Sequence, residues 1–309
     1  MKTIEEAFDY DRALIFGVGG CGDIVSTIPT AQFLEAHGVE VVLGGVAWER
    51  VVVDSQPGPR HFSEIQEIER LNETVALASE ATQTEDGIEF AETQIAKHYQ
   101  ERVVLIDIAG GAQGVANGID DACNKLDIDL VIGTDAGGDV LAAGEEEGIK
   151  SPLTDAVMLS ALAQLTTKSC LGVYGYGSDG ELTHEEIGNG IMRAARRDGY
   201  LGAWGLTPQI IEELTEVLEM VTTEASRLPV RVAKGDDSEI MIRDGDRSVN
   251  LTPTSTVTFY LNPTSVADTS DLADYVRHTE SFEGAQKALS QAGYKTELDF
   301  EKQFAENEP

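Results

Sequence analysis

A chain of 309 residues is long enough for one large α/β domain or two smaller ones. Its 55 acidic residues outnumber the 22 lysines and arginines, and the formal net charge is −33. This acidic excess, dispersed along the chain, excludes the basic stripe that nonspecific nucleic-acid binding requires. It favours a protein that stays soluble in concentrated salt, as in the cytosol of a salt-accumulating microbe; an ordinary acidic protein is the alternative.

The cysteines and the apolar runs indicate the cellular compartment. Cys21, Cys123 and Cys170 have no CxxC spacing, which excludes a disulfide framework and a zinc site. The N-terminus is polar and acidic, unlike a signal peptide, and no apolar run approaches the ~20 residues that span a bilayer. The sequence therefore predicts a cytoplasmic protein without a membrane partner.

The first two thirds of the chain alternate short apolar runs with amphipathic stretches, a pattern typical of β-α-β units. The predicted strands are residues 13–16, 39–43, 103–108, 130–133 and 170–174. The predicted helices are a segment ending at residue 38 and residues 117–127, 151–165, 184–197 and 208–226. Ser151 before Pro152 is the predicted N-cap of the third helix. Residues 54–102 are interpreted as connecting material.

From about residue 228 the pattern changes. Residues 229–233, 238–252 and 256–261 are predicted as strands, and Asp244-Gly245 supplies a hairpin turn. Two short helices, 272–278 and 282–292, follow. The predicted fold is an α/β, Rossmann-like, open and mostly parallel sheet with helices on both faces. Residues 1–227 form its ligand-binding core, and residues 228–309 form a C-terminal hairpin and helical extension packed on the same sheet.

Four predicted strands end in loops rich in glycine and aspartate. These loops are residues 17–23, 107–111, 134–139 and 175–181. Because the C-terminal ends of parallel strands face one crevice, we expect the four loops to converge on one ligand site.

The first loop carries a G-x-G-x-x-G pattern after a strand and before a helix. Its predicted ligand contacts are Gly17, Gly19, Gly20, Gly22 and Asp23. Such a loop presents N–H groups and a helix N-terminus to a phosphate or carboxylate; glycines required only for packing are the alternative. The second strand ends without an acidic residue for ribose, so NAD is not expected, and no Gly-Lys-Ser/Thr motif indicates a P-loop.

The loop after the fourth strand contains the candidate catalytic residues, Asp135 and Asp139. Carboxylates at a strand end can coordinate Mg²⁺ or another divalent cation, or accept hydrogen bonds from sugar hydroxyls; solvated surface is the alternative. The further predicted ligand contacts are Gly110, Gly111, Gly137, Gly138, Gly177, Ser178 and Asp179. Ser178 lacks the Gly-x-Ser-x-Gly context of a hydrolase nucleophile, because position 176 is tyrosine.

Three motifs together resemble a known family, the archaeal domain of unknown function 1152. They are Gly17-x-Gly-Gly-x-Gly-Asp23, residues 133–139 with residues 151–155, and residues 175–182. The resemblance extends to the tail at residues 296–299. It implies an α/β fold and an archaeal source, which agree with the salt-adapted, haloarchaeal-type composition, and it implies no established activity.

The leading hypothesis is an enzyme that acts on a phosphorylated sugar or nucleotide-like metabolite with a divalent cation at Asp135 and Asp139. The enzyme would be a metal-dependent hydrolase or transferase, and if the reaction is hydrolysis, a water bound to the cation near these carboxylates would be the nucleophile. A sensor that binds the same ligand without turnover is the alternative, and an NAD-type dehydrogenase is less favoured. The sequence leaves open whether the chain forms a homo-oligomer.

Overall fold

The computed structural model describes residues 1–307, and a large, mostly parallel sheet lies at its centre. The strands are β1 Arg12–Gly17, β2 Glu40–Val46, β3 Ile65–Arg70, β4 Val75–Thr84, β5 Val103–Ile106, β6 Leu130–Ala136, β7 Lys168–Tyr174, β8 Tyr200–Gly205, β9 Glu239–Ile242, β10 Arg247–Asn250 and β11 Val257–Leu261. The α-helices are α1 Ile28–Glu35, α2 Ala91–Tyr99, α3 Gly111–Leu126, α4 Pro152–Gln164, α5 His184–Ala195, α6 Pro208–Val217, α7 Leu228–Ala233, α8 Pro263–Ala267, α9 Asp271–Val276, α10 Phe282–Ala292 and α11 Glu297–Asn307.

The order of the nine strands in the main sheet is β3-β4-β5-β2-β1-β6-β7-β11-β8. The five central strands, β5-β2-β1-β6-β7, pair in parallel. The chain runs outward from β1 to β2 and β5, then returns to add β6 on the other side of β1. This reversal is the topological switch point where open α/β sheets bind ligands. The predicted Rossmann-like α/β fold is confirmed.

The central strands are apolar on both faces because helices cover both. Leu14 and Phe16 of β1 enter a core shared with α3 and α4, whereas Ile15 between them enters a core with α1. Alternate side chains of a strand point to opposite faces, so a strand covered on both sides reads as a continuous apolar run. This is why the sequence located these strands correctly.

The C-terminal third contributes to the main sheet and to a separate hairpin. Strand β11 lies between β7 and β8 and is antiparallel to both. Strands β9 and β10 pair only with each other, around a small core that includes Ile242 and Val249. We call residues 239–250 the arginine hairpin, because its turn carries Arg243 and its second strand begins at Arg247.

The structure corrects three local predictions. Residues 229–233 are helical rather than extended, since Pro229 has no N–H for a strand ladder and fits the first turn of α7. Residues 54–102 contain β3, β4 and α2; most of β3 is exposed or partly exposed at the sheet edge, which conceals its strand pattern. Strand β8 was not predicted, because two of its six residues are glycine, which is uncommon in strands.

No helix within residues 1–307 is both long enough and apolar enough to cross a membrane.

Candidate functional site

A cavity of about 320 Å³ lies at the C-terminal ends of β1, β6 and β7. Its lining comes from the loops after these strands, from the N-terminus of α4, from the arginine hairpin and from the start of α11. It therefore occupies the switch-point position expected for a ligand site, and its volume suits a small metabolite.

The structure brings together three of the four predicted loops. The predicted residues that line the cavity are Gly19, Gly20, Gly22, Asp23, Asp135, Asp139 and Asp179. The predicted residues outside its lining are Gly17, Gly110, Gly111, Gly137, Gly138, Gly177 and Ser178. Ser178, in the loop after β7, is fully buried.

The loop after β5 does not reach the cavity. Its Asp107 accepts hydrogen bonds from the N–H groups of Ala109, at 2.8 Å, and Phe62, at 3.0 Å. A Cβ at Gly111 would lie 2.7 Å from the backbone of Thr279 and Ser281. The segment before α10 therefore covers this strand end, and the carboxylate and the glycine serve packing there.

Three aspartates form a compact cluster in the cavity. Asp135, Asp139 and Asp155 each place one carboxylate oxygen within 4.8 Å of the other two. Asp135 is 1% exposed and Asp155 5% exposed. The Oδ2 atom of Asp135 and the Oδ1 atom of Asp155 are buried and have no hydrogen-bond partner among the described residues. Buried carboxylate oxygens that lack a partner and lie this close to other carboxylates favour a bound proton or cation.

Burial and mutual repulsion act on the acidic groups around this cluster. Burial, followed by repulsion from Asp139, raises the pKa of Asp23 to about 8. The same two causes raise the pKa values of Asp135, Asp155 and Asp179 well above the ordinary range of a carboxyl group. Without a cation, these carboxyl groups are driven to retain protons at neutral pH.

The glycine-rich loop is organised around its own carboxylate. The Gly19 N–H donates to Asp23 Oδ2 at 3.0 Å, so this donor is already paired with a carboxyl group of the protein. A Cβ at Gly17 would lie 2.6 Å from the backbone of Asp23, and one at Gly22 would lie 2.5 Å from Thr223. Gly17 and Gly22 thus permit close packing, and Asp23 occupies the place that the G-x-G-x-x-G pattern predicts for a ligand anion.

Glu297, rather than Ser151, caps helix α4. Ser151 makes no capping bond, and its hydroxyl instead donates to Glu181 at 2.5 Å and to Asp139 at 3.2 Å. Glu297 of α11 accepts from the N–H groups of Leu153 and Thr154 at 3.0 and 2.7 Å. Glu181 accepts from the N–H groups of Lys150 and Ser151, which precede α4. The two glutamates together hold the start of α4 and fix Asp155 in its first turn.

A family model described as "Protein of unknown function (DUF1152)" matches residues 14–305, nearly the whole chain. The chain belongs to the DUF1152 family. The family predicted from the three motifs is thereby confirmed. No match was found among curated proteins or among solved structures.

The sequence analysis did not identify the basic side chains that line this DUF1152 cavity. Arg243 and Arg247 enter from the arginine hairpin, Arg50 from the segment after β2, and Lys150 from the segment before α4. Two arginines around one predicted turn were a usable signal, because the chain has only 22 basic residues. Nothing in the local sequence indicates that the turn folds over the strand ends.

The acidic residue that follows β2 in this DUF1152 protein points away from the cavity. Strand β2 extends to Val46, and Glu49 comes three residues later. Its Oε1 accepts from the Ala91 N–H at 2.5 Å, at the start of α2, and Glu49 is not among the residues lining the cavity. In a dinucleotide site the corresponding acid would hold a ribose.

The substitution Glu49→Gln should stabilise the folded protein at neutral and higher pH, where the buried Glu49 lowers the free energy of unfolding. Burial raises the pKa of Glu49 from 4.5 to about 8, so between these values the unfolded chain releases a proton that the folded chain keeps. Stability from this group is present below pH 4.5 and is lost as the pH rises toward 8. We expect the variant to gain about 2–4 kcal/mol over the parent between pH 5 and 8.

Urea unfolding at pH 5, 6.5 and 8 and constant salt measures this gain. The exposed Glu80→Gln is the matched control and should follow the parent at each pH. Parallel pH profiles for Glu49→Gln and the parent would contradict the prediction.

Proposed function

We propose that the chain is a divalent-cation-dependent enzyme that acts on a phosphorylated sugar or nucleotide-like metabolite in this cavity. One observation carries the proposal: the oxygens of Asp135, Asp139 and Asp155 lie within 4.8 Å of one another. Two of these buried carboxylates also have an oxygen without a partner. Carboxylate oxygens that converge in this way suit a hard cation such as Mg²⁺, Mn²⁺ or Ca²⁺.

The charge of the cavity supports a cation as part of the ligand complex. The cavity is lined by ten carboxylates, Asp23, Asp135, Asp139, Asp155, Asp179, Glu181, Glu224, Asp246, Glu297 and Glu301. Four basic residues face them: Arg50, Lys150, Arg243 and Arg247. Ten negative against four positive groups would repel a phosphate unless protons or a cation neutralised part of the excess. A divalent cation held by Asp135, Asp139 and Asp155 would offset part of this excess and would supply a Lewis acid for phosphate chemistry.

The test is a thermal-shift screen in molar KCl, with and without Mg²⁺ or Mn²⁺, against sugar phosphates and nucleotides. A ligand that binds only the folded state raises its melting temperature, and we expect this rise only when the cation is present. A ligand found in this way is then incubated with the protein, and its phosphorus is followed by NMR. No stabilisation by any cation or phosphorylated compound would refute the proposal.

A non-catalytic sensor is the second candidate. It is favoured by one observation: the described residues that line the cavity include no histidine, the side chain most often used for proton transfer near neutral pH. A sensor predicts cation-dependent stabilisation by one ligand with an unchanged phosphorus spectrum. The enzyme predicts the same stabilisation together with a new product resonance.

We further propose that the protein works in a salt-rich cytoplasm, as the net charge of −33 and the three free cysteines support. Salt at 1 M screens charges beyond roughly 3 Å, so repulsion among surface carboxylates should fall steeply as KCl is added. We expect the melting temperature to rise by at least about 10 °C between 0.1 and 2 M KCl. Calorimetry measures the change, and a flat profile would oppose salt adaptation.

A further inference from the structure

Three guanidinium groups line one cavity in which acidic side chains predominate. Arg50 follows β2, and Arg243 and Arg247 belong to the arginine hairpin. Two sequence segments almost 200 residues apart therefore bring arginines to the same site. Arginine is the side chain best suited to a planar, two-point contact with an oxyanion.

Two of these arginines share a single carboxylate. Glu224 lies 3.0 Å from Arg50 Nη1 and 3.6 Å from Arg243 Nε. The Nε of Arg243 is buried and has no hydrogen-bond partner among the described residues. One glutamate thus faces two positive charges and leaves a guanidinium donor unused. A buried donor without an acceptor is costly unless a ligand supplies the acceptor.

The third arginine is held in place by protein groups. Arg247 Nη1 lies 2.8 Å from Glu181 Oε1 and donates to the carbonyl oxygen of Asp179 at 3.2 Å. Its side chain is 12% exposed, and its Nε also has no partner among the described residues. Arg247 therefore ties the hairpin to the loop after β7 and adds positive charge beside Arg243.

The backbone of Arg243 adopts a conformation that is strained for a non-glycine residue. Its φ is 54°, in the left-handed region that non-glycine residues rarely adopt, and its N–H donates to Glu224 Oε1 at 3.1 Å. Burial and then repulsion from Arg50 and Arg247 lower the pKa of Arg243. A guanidinium does not lose its proton in proteins, so this repulsion persists until an anion binds.

We infer that Arg50 and Arg243 form a subsite for a terminal phosphate group of the ligand, with Arg247 and Glu224 as positioning residues. The inference rests on the proposed function, because it assigns the phosphate end of the same ligand. Arg243 Nε has no hydrogen-bond acceptor, and Glu224 alone pairs with both Arg243 and Arg50. A phosphate dianion bound between the two arginines would supply the acceptor and the second negative charge. A phosphate monoester and a diphosphate present the same terminal group. Inorganic phosphate and pyrophosphate serve as probes that distinguish these two classes of ligand.

The experiment titrates inorganic phosphate and pyrophosphate into the protein by calorimetry, at constant ionic strength, once with Mn²⁺ and once with a chelator. R243Q should bind both anions about 10- to 100-fold more weakly than the parent, since it loses charge-assisted hydrogen bonds. R243K keeps the positive charge but loses the two-point hydrogen bonding of a guanidinium, so its affinity for each anion should lie between those of R243Q and the parent. R231Q is the matched control, because Arg231 is not among the residues lining the cavity and pairs with Asp236.

Mn²⁺ affinity separates this inference from the proposed function. R243Q should bind Mn²⁺ as the parent does, which also reports that the cavity is folded. If the parent binds no Mn²⁺, the proposed function fails, whereas anion binding in chelator still tests the arginines. Tighter binding of pyrophosphate than of phosphate assigns a diphosphate, and equal binding assigns a monoester. Unchanged anion affinity in R243Q, no anion binding by the parent, or equal binding of succinate would overturn the inference.

Discussion

Replacing Asp135 or Asp155 by Asn is expected to weaken Mn²⁺ binding by at least about 100-fold, or about 2.7 kcal/mol. Each substitution keeps the shape of the side chain and removes one of the three charges that converge within 4.8 Å. A hard cation loses both a charge and a strong oxygen ligand. Equilibrium dialysis or calorimetry with Mn²⁺ measures the loss.

The same variants should be more stable than the parent when no cation is present. Burial raises the pKa of Asp135 well above 3.8, so the folded parent becomes less stable as the pH rises past that value. Asn carries no such cost, and its advantage should grow from pH 4 toward pH 8. Weaker cation binding combined with a higher cation-free melting temperature is the signature of a ligand residue.

A buried carboxylate outside the cavity provides the control for both effects. Asp107 is 3% exposed and also lies at a strand end, but its oxygens accept hydrogen bonds from the backbone. Asp107→Asn should leave Mn²⁺ affinity unchanged and should not stabilise the protein. If Asp135→Asn lowers the cation-free melting temperature and leaves Mn²⁺ affinity intact, Asp135 is structural and the proposed cation site is wrong.

Gly137→Ala is expected to destabilise the protein by about 2–4 kcal/mol. The φ of Gly137 is 132°, and a Cβ there would lie 2.2 Å from Cγ of Asp179. The substitution therefore adds backbone strain and pushes Asp179 from its place in the cavity. Urea unfolding measures the stability, and we also expect a roughly 10-fold loss of Mn²⁺ affinity from the shifted charge.

Gly114→Ala is the matched control, and it is expected to stabilise the protein rather than destabilise it. Gly114 lies inside α3, and a Cβ there would meet no atom within 4 Å. Alanine should stabilise the helix by about 0.5–1 kcal/mol and leave Mn²⁺ affinity unchanged. Equal stability changes in the two variants would show that Gly137 is not needed for the approach of Asp179.

Features that depend on local sequence were predicted correctly, whereas features that depend on contacts between distant segments were not. The central strands were predictable because burial on both faces writes a continuous apolar run into the local sequence. The clustering of Asp135 with Asp179 was predictable because parallel strands of adjacent β-α-β units end at one edge. The β5 loop was expected there as well, but residues 279–281 cover it, and no local pattern signals such a long-range cover.

The sequence by itself determined the Rossmann-like sheet, the acidic surface charge and the aspartates at the ends of β6 and β7. These features depend on local periodicity and composition, which the chain carries wherever it folds. Only the tertiary structure decided that Glu297 caps α4 and that Arg243 reaches the cavity beside Arg50. Those contacts join segments more than 140 residues apart. They depend on how α11 and the arginine hairpin pack against the strand ends, and packing between distant segments leaves no periodic trace in either segment.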